Sequence, residues 1–82
     1  MWTVYIVCCR DGSLYTGITN DLWKRLAAHN GKKGGKYTRS HAPVRLVYSE
    51  KKRSRGTATR REMAIKALTR ARKLALVARQ SG

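Results

Sequence analysis

Acidic side chains, which most metal-dependent hydrolytic sites require, are scarce in this chain of 82 residues. There are four carboxylates, Asp11, Asp21, Glu50 and Glu62. Two-metal chemistry usually needs several clustered acids, and these four are widely spaced along the sequence. The sequence therefore permits at most one divalent cation on one carboxylate.

Glu62 is the carboxylate best suited to hold such a cation. On a helix it shares a stripe with Ala58 and Ile65, so it borders the apolar face and not open water. A different interpretation is that Thr59-Arg-Arg-Glu62 forms a capping box, in which Glu62 only bonds the backbone at the start of a helix. Spacing alone leaves metal ligation, capping and a solvated position open.

Arg25 and His29 are separated by four residues and fall within the helical arc set by Leu22 and Leu26. Both side chains are therefore expected at the border between a helix and a sheet. An arginine there can bind a phosphate with two parallel hydrogen bonds, and an imidazole can bond a phenol or a leaving oxygen. The alternative is an arginine that extends from the helix edge to water beside a half-buried histidine.

Two tyrosines, Tyr5 and Tyr15, stand in the two arms of a predicted hairpin. If Asp11-Gly12 alone forms the loop, the two phenols lie on opposite sides of the sheet. If Arg10-Asp11-Gly12 forms it, with Gly12 in the left-handed conformation, Val7 pairs with Tyr15 and both phenols share a face. Joint action of the tyrosines requires the second register.

The elements that must position these residues follow in the order β-β-α-β-α-α. We predict an α+β fold, a small three-stranded, mostly antiparallel sheet flanked by helices, and a single domain over residues 1–82. The predicted elements are strands Thr3–Cys9, Leu14–Ile18 and Val44–Ser49, a helix Asp21–His29 capped by Asn20 or Thr19, a charged turn at residues 51–56, a helix from Thr57, and a short helix capped by Thr69. Ile65 and Leu68 are expected to point inward from the second helix, and Leu74 and Val77 are the apolar residues of the third.

Four short motifs in this order resemble the GIY-YIG nuclease family, and its short stand-alone bacterial branch in particular. They are Thr3-Val4-Tyr5 in place of Gly-Ile-Tyr, Tyr15-Thr16-Gly17 in place of Tyr-Ile-Gly, Asp21-Leu22-Trp23-Lys24-Arg25-Leu26 with His29, and Glu62 followed by Ile65-Lys66. The resemblance spans about residues 3–77. Gly17 corresponds to the structural glycine of the second motif. Thr3 and Thr16 depart from the pattern, and no asparagine follows Glu62, although several branches place one in the site.

The resemblance implies hydrolysis of a phosphodiester with a single Mg²⁺ or Mn²⁺. By this likeness Glu62 holds the ion, and Tyr5 takes a proton from the attacking water. Tyr15 positions the water or the phosphate, and Arg25 balances charge that develops on phosphorus. His29 supports Tyr5 through a hydrogen bond.

The charge of the chain points to a polyanionic partner. Nineteen Lys and Arg against four Asp and Glu leave a net charge of +15, which favours nucleic acid, with solvated basic surface or anionic lipid as alternatives. A glycine-rich basic loop at residues 30–43 suits phosphate contact and base stacking, although a solvated loop is an equal alternative. The candidate nucleic-acid ligands are Lys24, Lys32, Lys33, Lys36, Tyr37, Arg39, Arg61 and Lys66.

Cysteine usage and the apolar start of the chain bear on location. Cys8 and Cys9 are adjacent, badly placed to bridge each other, and are expected to be buried, reduced thiols of a cytoplasmic protein. The apolar start is about nine residues long, too short for a membrane span. We expect no membrane partner, and a monomer by default.

Two functions of different classes follow. The first is a metal-dependent endonuclease acting on DNA more than RNA, with single-stranded or structured DNA among its substrates, in repair or processing. The second is a non-catalytic basic module that binds nucleic acid, such as a ribosome-associated protein. Binding explains the surplus of Lys and Arg, but only catalysis requires Tyr5, Tyr15, Arg25 and Glu62 to converge.

Overall fold

The computed structural model of the chain describes residues 1–30 and 43–81. Its elements are β1 (Trp2–Cys8), β2 (Leu14–Thr19), α1 (Leu22–Asn30), β3 (Arg45–Lys52), α2 (Arg55–Lys66) and α3 (Arg70–Ser81). The α+β fold and the order β-β-α-β-α-α are confirmed, and both strand pairs are antiparallel. Among the described helices none is long and apolar enough to cross a membrane.

The first strand, β1, is the centre of the sheet, whose strand order is β2-β1-β3. Val4, Tyr5, Ile6 and Val7 are all 0% exposed, so this central strand is covered on both faces. Because alternate side chains of a strand point to opposite faces, these residues divide between two cores.

Each face of the sheet is covered by different helices. Val4 and Ile6 pack with Tyr48 of β3 and with Ala58 and Ile65 of α2, and Leu76 and Val77 of α3 lie against that cluster. Tyr5 and Val7 form the other cluster, which includes Cys9 and Val44 and which Leu22 and Leu26 of α1 cover. The helix with Arg25 and His29 and the helix with Glu62 therefore cover opposite faces.

The hairpin adopts the longer loop. Gly12 has a φ of 88°, Val7 pairs with Tyr15, and Tyr5 pairs with Gly17. Oδ1 of Asp11 accepts hydrogen bonds from the amide of Ser13 at 3.0 Å and from its hydroxyl at 2.7 Å, which fixes the turn. The register that places both phenols on one face is confirmed.

The start of α1 differs from the prediction of a cap at Asn20 or Thr19. Oδ1 of Asp21 accepts a hydrogen bond from the amide of Lys24 at 3.1 Å, so Asp21 is the cap. The Thr19 hydroxyl instead accepts from the amide of Asp21 at 3.1 Å and steadies the turn into the helix. That contact follows the end of β2, which continues one residue beyond the prediction, through Thr19.

The start of α2 also differs, and the difference bears on Glu62. The helix begins at Arg55 and is capped by Ser54, whose side chain accepts from the amide of Thr57 in a capping box. Thr59 lies inside the helix and donates its hydroxyl proton to the carbonyl of Arg55 at 2.8 Å. The alternative interpretation, a capping box formed by Thr59 and Glu62, is therefore wrong, because the helix starts four residues earlier than Thr59.

The third strand and the last helix can also be compared with the predictions. The third strand, β3, runs to Lys52, because Lys51 and Lys52 pair with Thr3 and Trp2 of the central strand, so the charged turn shrinks to Arg53 and Ser54. Thr69 caps α3 as predicted, through its hydroxyl and the amide of Arg72 at 3.3 Å. Within α3, however, Leu74 is 44% exposed, and Leu76 with Val77 makes the apolar contact.

Candidate active site

The candidate site is built around the Tyr5 phenol, which lies in the middle of the sheet. Tyr5 is 0% exposed, and its hydroxyl oxygen lies 2.8 Å from Nε2 of His29. His29 is itself 2% exposed, because it stands in the last turn of α1 on the face that Leu22 and Leu26 turn to the sheet. Helix and strand together hold the phenol and the imidazole in hydrogen-bond contact.

Gly17 creates the space for this phenol. A Cβ at position 17 would lie 2.6 Å from the Tyr5 hydroxyl oxygen and 2.8 Å from Cζ. Gly17 is the cross-strand partner of Tyr5, so the ring lies directly over the neighbouring backbone. Any side chain at this position would displace the hydroxyl end of the tyrosine.

Tyr15 completes the aromatic part of the site from the second strand. Its ring meets the His29 ring nearly edge-on, with centroids 5.5 Å apart and planes at 69°. The rings of Tyr5 and His29 have centroids 5.8 Å apart at 57°. The imidazole therefore stands against both phenols, and packing limits its rotation.

Arg25 brings a positive charge to this cluster. Burial raises the pKa of the Tyr5 phenol, and the hydrogen bond and charge of Arg25 partly offset that rise. Burial, with a smaller contribution from the charge of Arg25, lowers the pKa of His29. Near neutral pH the phenol is therefore protonated and the imidazole uncharged, a combination in which the imidazole can accept the phenolic proton.

Glu62 approaches the same cluster from the other side of the sheet. Its negative charge contributes to the raised pKa of Tyr5, although α2 covers the opposite face. Its side chain is 18% exposed and pairs with Lys66 one turn along the helix, at 3.4 Å between Oε2 and Nζ. Glu62 is therefore a partly exposed carboxylate that acts electrostatically on Tyr5.

The donor set in the described part of the chain suits one hard cation with a small share of protein ligands. No group of three or more His, Cys, Asp or Glu gathers there, so an ion at Glu62 would take most of its ligands from water and phosphate. Mg²⁺ is commonly held by one or two carboxylates together with substrate phosphates and water. The residues present fit an ion of that kind, and Lys66 would have to release Glu62 to admit it.

The predicted nucleic-acid ligands fall into several places. Lys24 is exposed and, with Arg25, lines a cavity of about 240 Å³ at the start of α1. Lys66 pairs with Glu62, and Nε of Arg61 donates to Oε1 of Glu50 at 2.8 Å. The remaining ones, Lys32, Lys33, Lys36, Tyr37 and Arg39, lie outside the described residues.

A second polar cluster, on the Tyr48 face of the sheet, was not predicted. The Tyr48 hydroxyl donates to Oε2 of Glu50, and Arg61 and Lys52 pair with Oε1 at 2.8 and 3.2 Å. Tyr48 and Glu50 are two residues apart on a strand, so they share a face. That spacing was visible in the sequence, but the partnership with Arg61 was not.

Known proteins resemble this chain along nearly its whole length. Residues 1–75 match the GIY-YIG catalytic domain. The UPF0213 protein of Desulfotalea psychrophila is 54% identical over 77 residues, which are 93% of this chain and 70% of that protein. The UPF0213 protein of Clostridium perfringens is 53% identical over 78 residues, 95% of this chain and 84% of that protein.

The fold has a solved counterpart as well. The solution NMR structure of the UPF0213 protein BH0048 from Bacillus halodurans has a TM-score of 0.65 and 43% identity, and the match covers all of this chain and 88% of that one. The motifs, the arrangement of Tyr5, Gly17 and His29, and these matches agree. This chain belongs to the GIY-YIG nuclease family.

Proposed function

We propose that this protein is a metal-dependent endonuclease that hydrolyses phosphodiester bonds in DNA, single-stranded or structured, during repair or processing. The observation that carries the proposal is the contact between the buried Tyr5 hydroxyl and Nε2 of His29 at 2.8 Å, beside Arg25 and over Gly17. Binding alone would not require a buried phenol that is hydrogen-bonded to a neutral base and packed against a glycine. The proposal treats residues 1–82 as one domain that acts as a monomer in the cytoplasm, where the free thiols of Cys8 and Cys9 would stay reduced.

The proton steps use the contact between the Tyr5 hydroxyl and Nε2 of His29 at 2.8 Å. The attacking water gives a proton to the Tyr5 oxygen while the phenolic proton passes to Nε2 of His29, which carries its own proton on Nδ1. Because the phenol remains neutral until the transfer, no free phenolate has to form at neutral pH. As the water oxygen bonds to phosphorus, the bond to the leaving oxygen breaks and that oxygen takes a proton from solvent, while His29 returns its own extra proton to solvent.

The other residues of the site position the water and the phosphate and neutralise the developing charge. Arg25 binds the phosphoryl oxygens and offsets the charge that grows on them. Tyr15 orients the water or the phosphate. Glu62 holds Mg²⁺ or Mn²⁺, which when bound stabilises the same developing charge.

Lys24 and the basic residues elsewhere in the chain bind the backbone of the nucleic acid and have no part in the chemistry. DNA is the preferred partner over RNA in this proposal, and no membrane is involved. The cavity of about 240 Å³ beside Arg25 provides space for a nucleotide next to the cleaved phosphate.

The test compares binding and cleavage in matched variants. Labelled single-stranded, duplex and branched DNA and single-stranded RNA are incubated at low salt with Mg²⁺, Mn²⁺ or EDTA, because basic proteins lose phosphate affinity as salt rises. Tyr5→Phe is expected to bind like the wild type and to lose cleavage by roughly 10²- to 10⁴-fold, the usual contribution of a general base. Glu62→Gln is expected to bind like the wild type and to lose the cleavage that depends on the metal ion.

Asp11→Asn is the matched control for Glu62→Gln, since it makes the same exchange of carboxylate for amide in the hairpin turn. It should cut at the wild-type rate. If wild type and all variants bind equally and none cuts any substrate, the endonuclease proposal is wrong and the chain is a nucleic-acid-binding module.

A further inference from the structure

A cavity of about 320 Å³ opens on the Tyr48 face of the sheet, between β3, α2 and α3. It is lined by Tyr48, Arg61, Leu76, Arg79 and Gln80. Its volume is at the lower end of the range of about 300–1,000 Å³ in which small-molecule sites fall. Two guanidinium groups, a phenol and an amide thus surround a space with one aliphatic wall.

This cavity is separate from the candidate active site. Tyr48 pairs with Ile6, whose side chain belongs to the opposite face from that of Tyr5. On α2, Arg61 and Glu62 are adjacent, so their side chains diverge by about 100° around the helix axis. Glu62 acts on Tyr5, whereas Arg61 bonds Glu50 of β3.

The charge around the cavity favours an anion. Arg61 and Lys52 pair with the carboxylate of Glu50, and Arg79 lines the cavity together with Arg61. These three cations and one carboxylate leave two positive charges in excess. Burial acts to raise the pKa of Glu50, but hydrogen bonds from Tyr48, Arg61 and Lys52 hold it below its usual value. Glu50 is therefore ionised, and its oxygens already accept hydrogen bonds. It holds Arg61 in place but does not cancel the positive charge of the basic side chains around the cavity.

Both arginines can still accept a ligand. Arg61 reaches Glu50 through Nε, and its side chain is 36% exposed. Arg79 makes no hydrogen bond or ion pair with any other residue in the ranges 1–30 and 43–81. A guanidinium presents several N–H donors in a planar fork that matches the oxygens of a phosphate.

Gln80 holds this region in a fixed arrangement. Its Oε1 accepts from the amide of Ser49 at 2.8 Å, and its Nε2 donates to the carbonyl of Ser49 at 2.6 Å. The side-chain amide thereby pairs with the free edge of β3 as a neighbouring strand would. The last turn of α3, with Arg79, is pinned to the strand that carries Tyr48.

We infer that this cavity is a second phosphate-binding site, which holds a segment of nucleic acid other than the segment at Tyr5. The inference rests on the proposed nucleic-acid partner but not on cleavage. The partner is a polynucleotide and not a small phosphorylated molecule. The chain has 19 basic and 4 acidic residues, and a net charge of +15 suits an extended polyanion. The sheet lies between the two sites, so a substrate with two arms or a bend can occupy both.

The experiment measures binding in the presence of EDTA, so that no cleavage occurs. Arg79→Gln is compared with Arg72→Gln, which makes the same exchange on the same helix two turns away and outside the cavity. The probes are labelled branched DNA, duplex DNA and a single strand too short to reach both faces.

Arg79→Gln is expected to weaken binding of branched or duplex DNA by roughly 3- to 10-fold and to reduce the slope of log affinity against log salt by about 1, as loss of one phosphate contact does. It should leave the short strand bound as before. Arg72→Gln should change each quantity by less than twofold. In nitrogen–proton NMR spectra, branched DNA should shift the Nε signals of Arg61 and Arg79 and the side-chain amide signals of Gln80.

Three outcomes overturn the inference. Equal effects of the two exchanges would mean a diffuse basic surface, and no effect of Arg79→Gln would mean that the cavity is not used. Saturable shifts of the same signals by inorganic phosphate or a nucleoside monophosphate, without a change in DNA affinity, would assign the cavity to a small phosphorylated ligand.

These outcomes are independent of the endonuclease proposal. A protein that never cuts but loses branched-DNA affinity with Arg79→Gln retains the second site. A protein that cuts normally, with Arg79→Gln binding like the wild type, retains only the first.

Discussion

Each face of the sheet buries a tyrosine, and the hydroxyl groups of these two tyrosines have different hydrogen-bond partners. Tyr5, 0% exposed, meets the neutral imidazole of His29. Tyr48, 8% exposed, donates to Glu50, which Arg61 and Lys52 also bind. Burial raises the pKa of both phenols, so burial alone does not distinguish a reactive tyrosine from a structural one.

What separates the two tyrosines is the capacity of the partner to take a proton. A neutral imidazole can accept the phenolic proton and become a cation beside an anionic phosphate. A carboxylate whose pKa is held low by three donors resists protonation. In the proposed mechanism the Tyr5 face is therefore the one that transfers a proton, whereas the Tyr48 face holds charged side chains in place.

The largest expected effect is at Gly17, where the Tyr5 face has no room for a side chain. Gly17→Ala places a Cβ at 2.6 Å from the Tyr5 hydroxyl oxygen, so the ring or the strand must shift. We expect a loss of about 1–3 kcal/mol in the free energy of unfolding. A misplacement of about 1 Å also costs about 100-fold in turnover. Chemical denaturation and the cleavage assay measure the two effects separately.

Gly56→Ala is the matched control. The nearest atom to a Cβ there is 3.9 Å away, and position 56 lies in the first turn of α2. Because alanine restricts the unfolded chain and favours a helix, this variant should gain up to about 1 kcal/mol and keep full cleavage. Equal stability losses in the two variants would contradict the close contact at Gly17.

On the other face, the weak point is Glu50. Glu50→Gln removes the charge that binds Arg61 and Lys52, and we expect a loss of about 1–3 kcal/mol at neutral pH, typical of hydrogen bonds to a charged group. The pKa of Glu50 is lowered on folding, so its contribution is present above the ordinary value of 4.5 and is lost as the pH falls through the folded pKa.

Urea titrations of wild type and Glu50→Gln from neutral to acidic pH test whether the contribution of Glu50 to stability falls as the pH falls. The stability difference should be constant near neutrality and should shrink below pH 4.5, the ordinary value for a glutamate. A difference that grows on acidification would show that Glu50 is stabilised in its protonated form.

The smallest expected effect is the pH dependence of stability that His29 adds on the Tyr5 face. Its pKa is lowered on folding, so the unfolded chain binds the proton more strongly, and stability falls as the pH drops below the ordinary value of 6.5. This window lies above that of Glu50, so the two faces titrate separately. His29→Gln should flatten the profile between neutrality and about pH 5.

Cleavage should decline over the same range, because an imidazolium cannot accept the proton of Tyr5. A cleavage profile that stays level as His29 protonates would remove His29 from the proton path and leave it a packing role.

Local patterns predicted the hairpin better than the helix starts. The Asp11-Gly12 pair offered two registers, and the requirement that the phenols share a face selected the one that the structure has. The caps were less predictable, since Thr19, Asn20 and Asp21 are all good capping residues. The same ambiguity placed the start of α2 at Thr57, although Ser54 caps it.

The sequence by itself determined the order of the elements, the basic charge and the four motifs with Tyr5, Tyr15, Arg25 and Glu62. It did so because local spacing and residue type report strand alternation and helical stripes directly. Which side chains meet across the sheet was decided only by the tertiary structure.

Long-range contacts decide which side chains meet across the sheet. The distance from Tyr5 to His29 spans 24 positions in the chain, and Gly17 makes room for the phenol only because antiparallel pairing brings it opposite. The cavity with Arg61 and Arg79 forms only when α2 and α3 pack on the face of Tyr48. These contacts depend on how whole elements pack, because residues distant in sequence become neighbours only when their apolar faces are buried together.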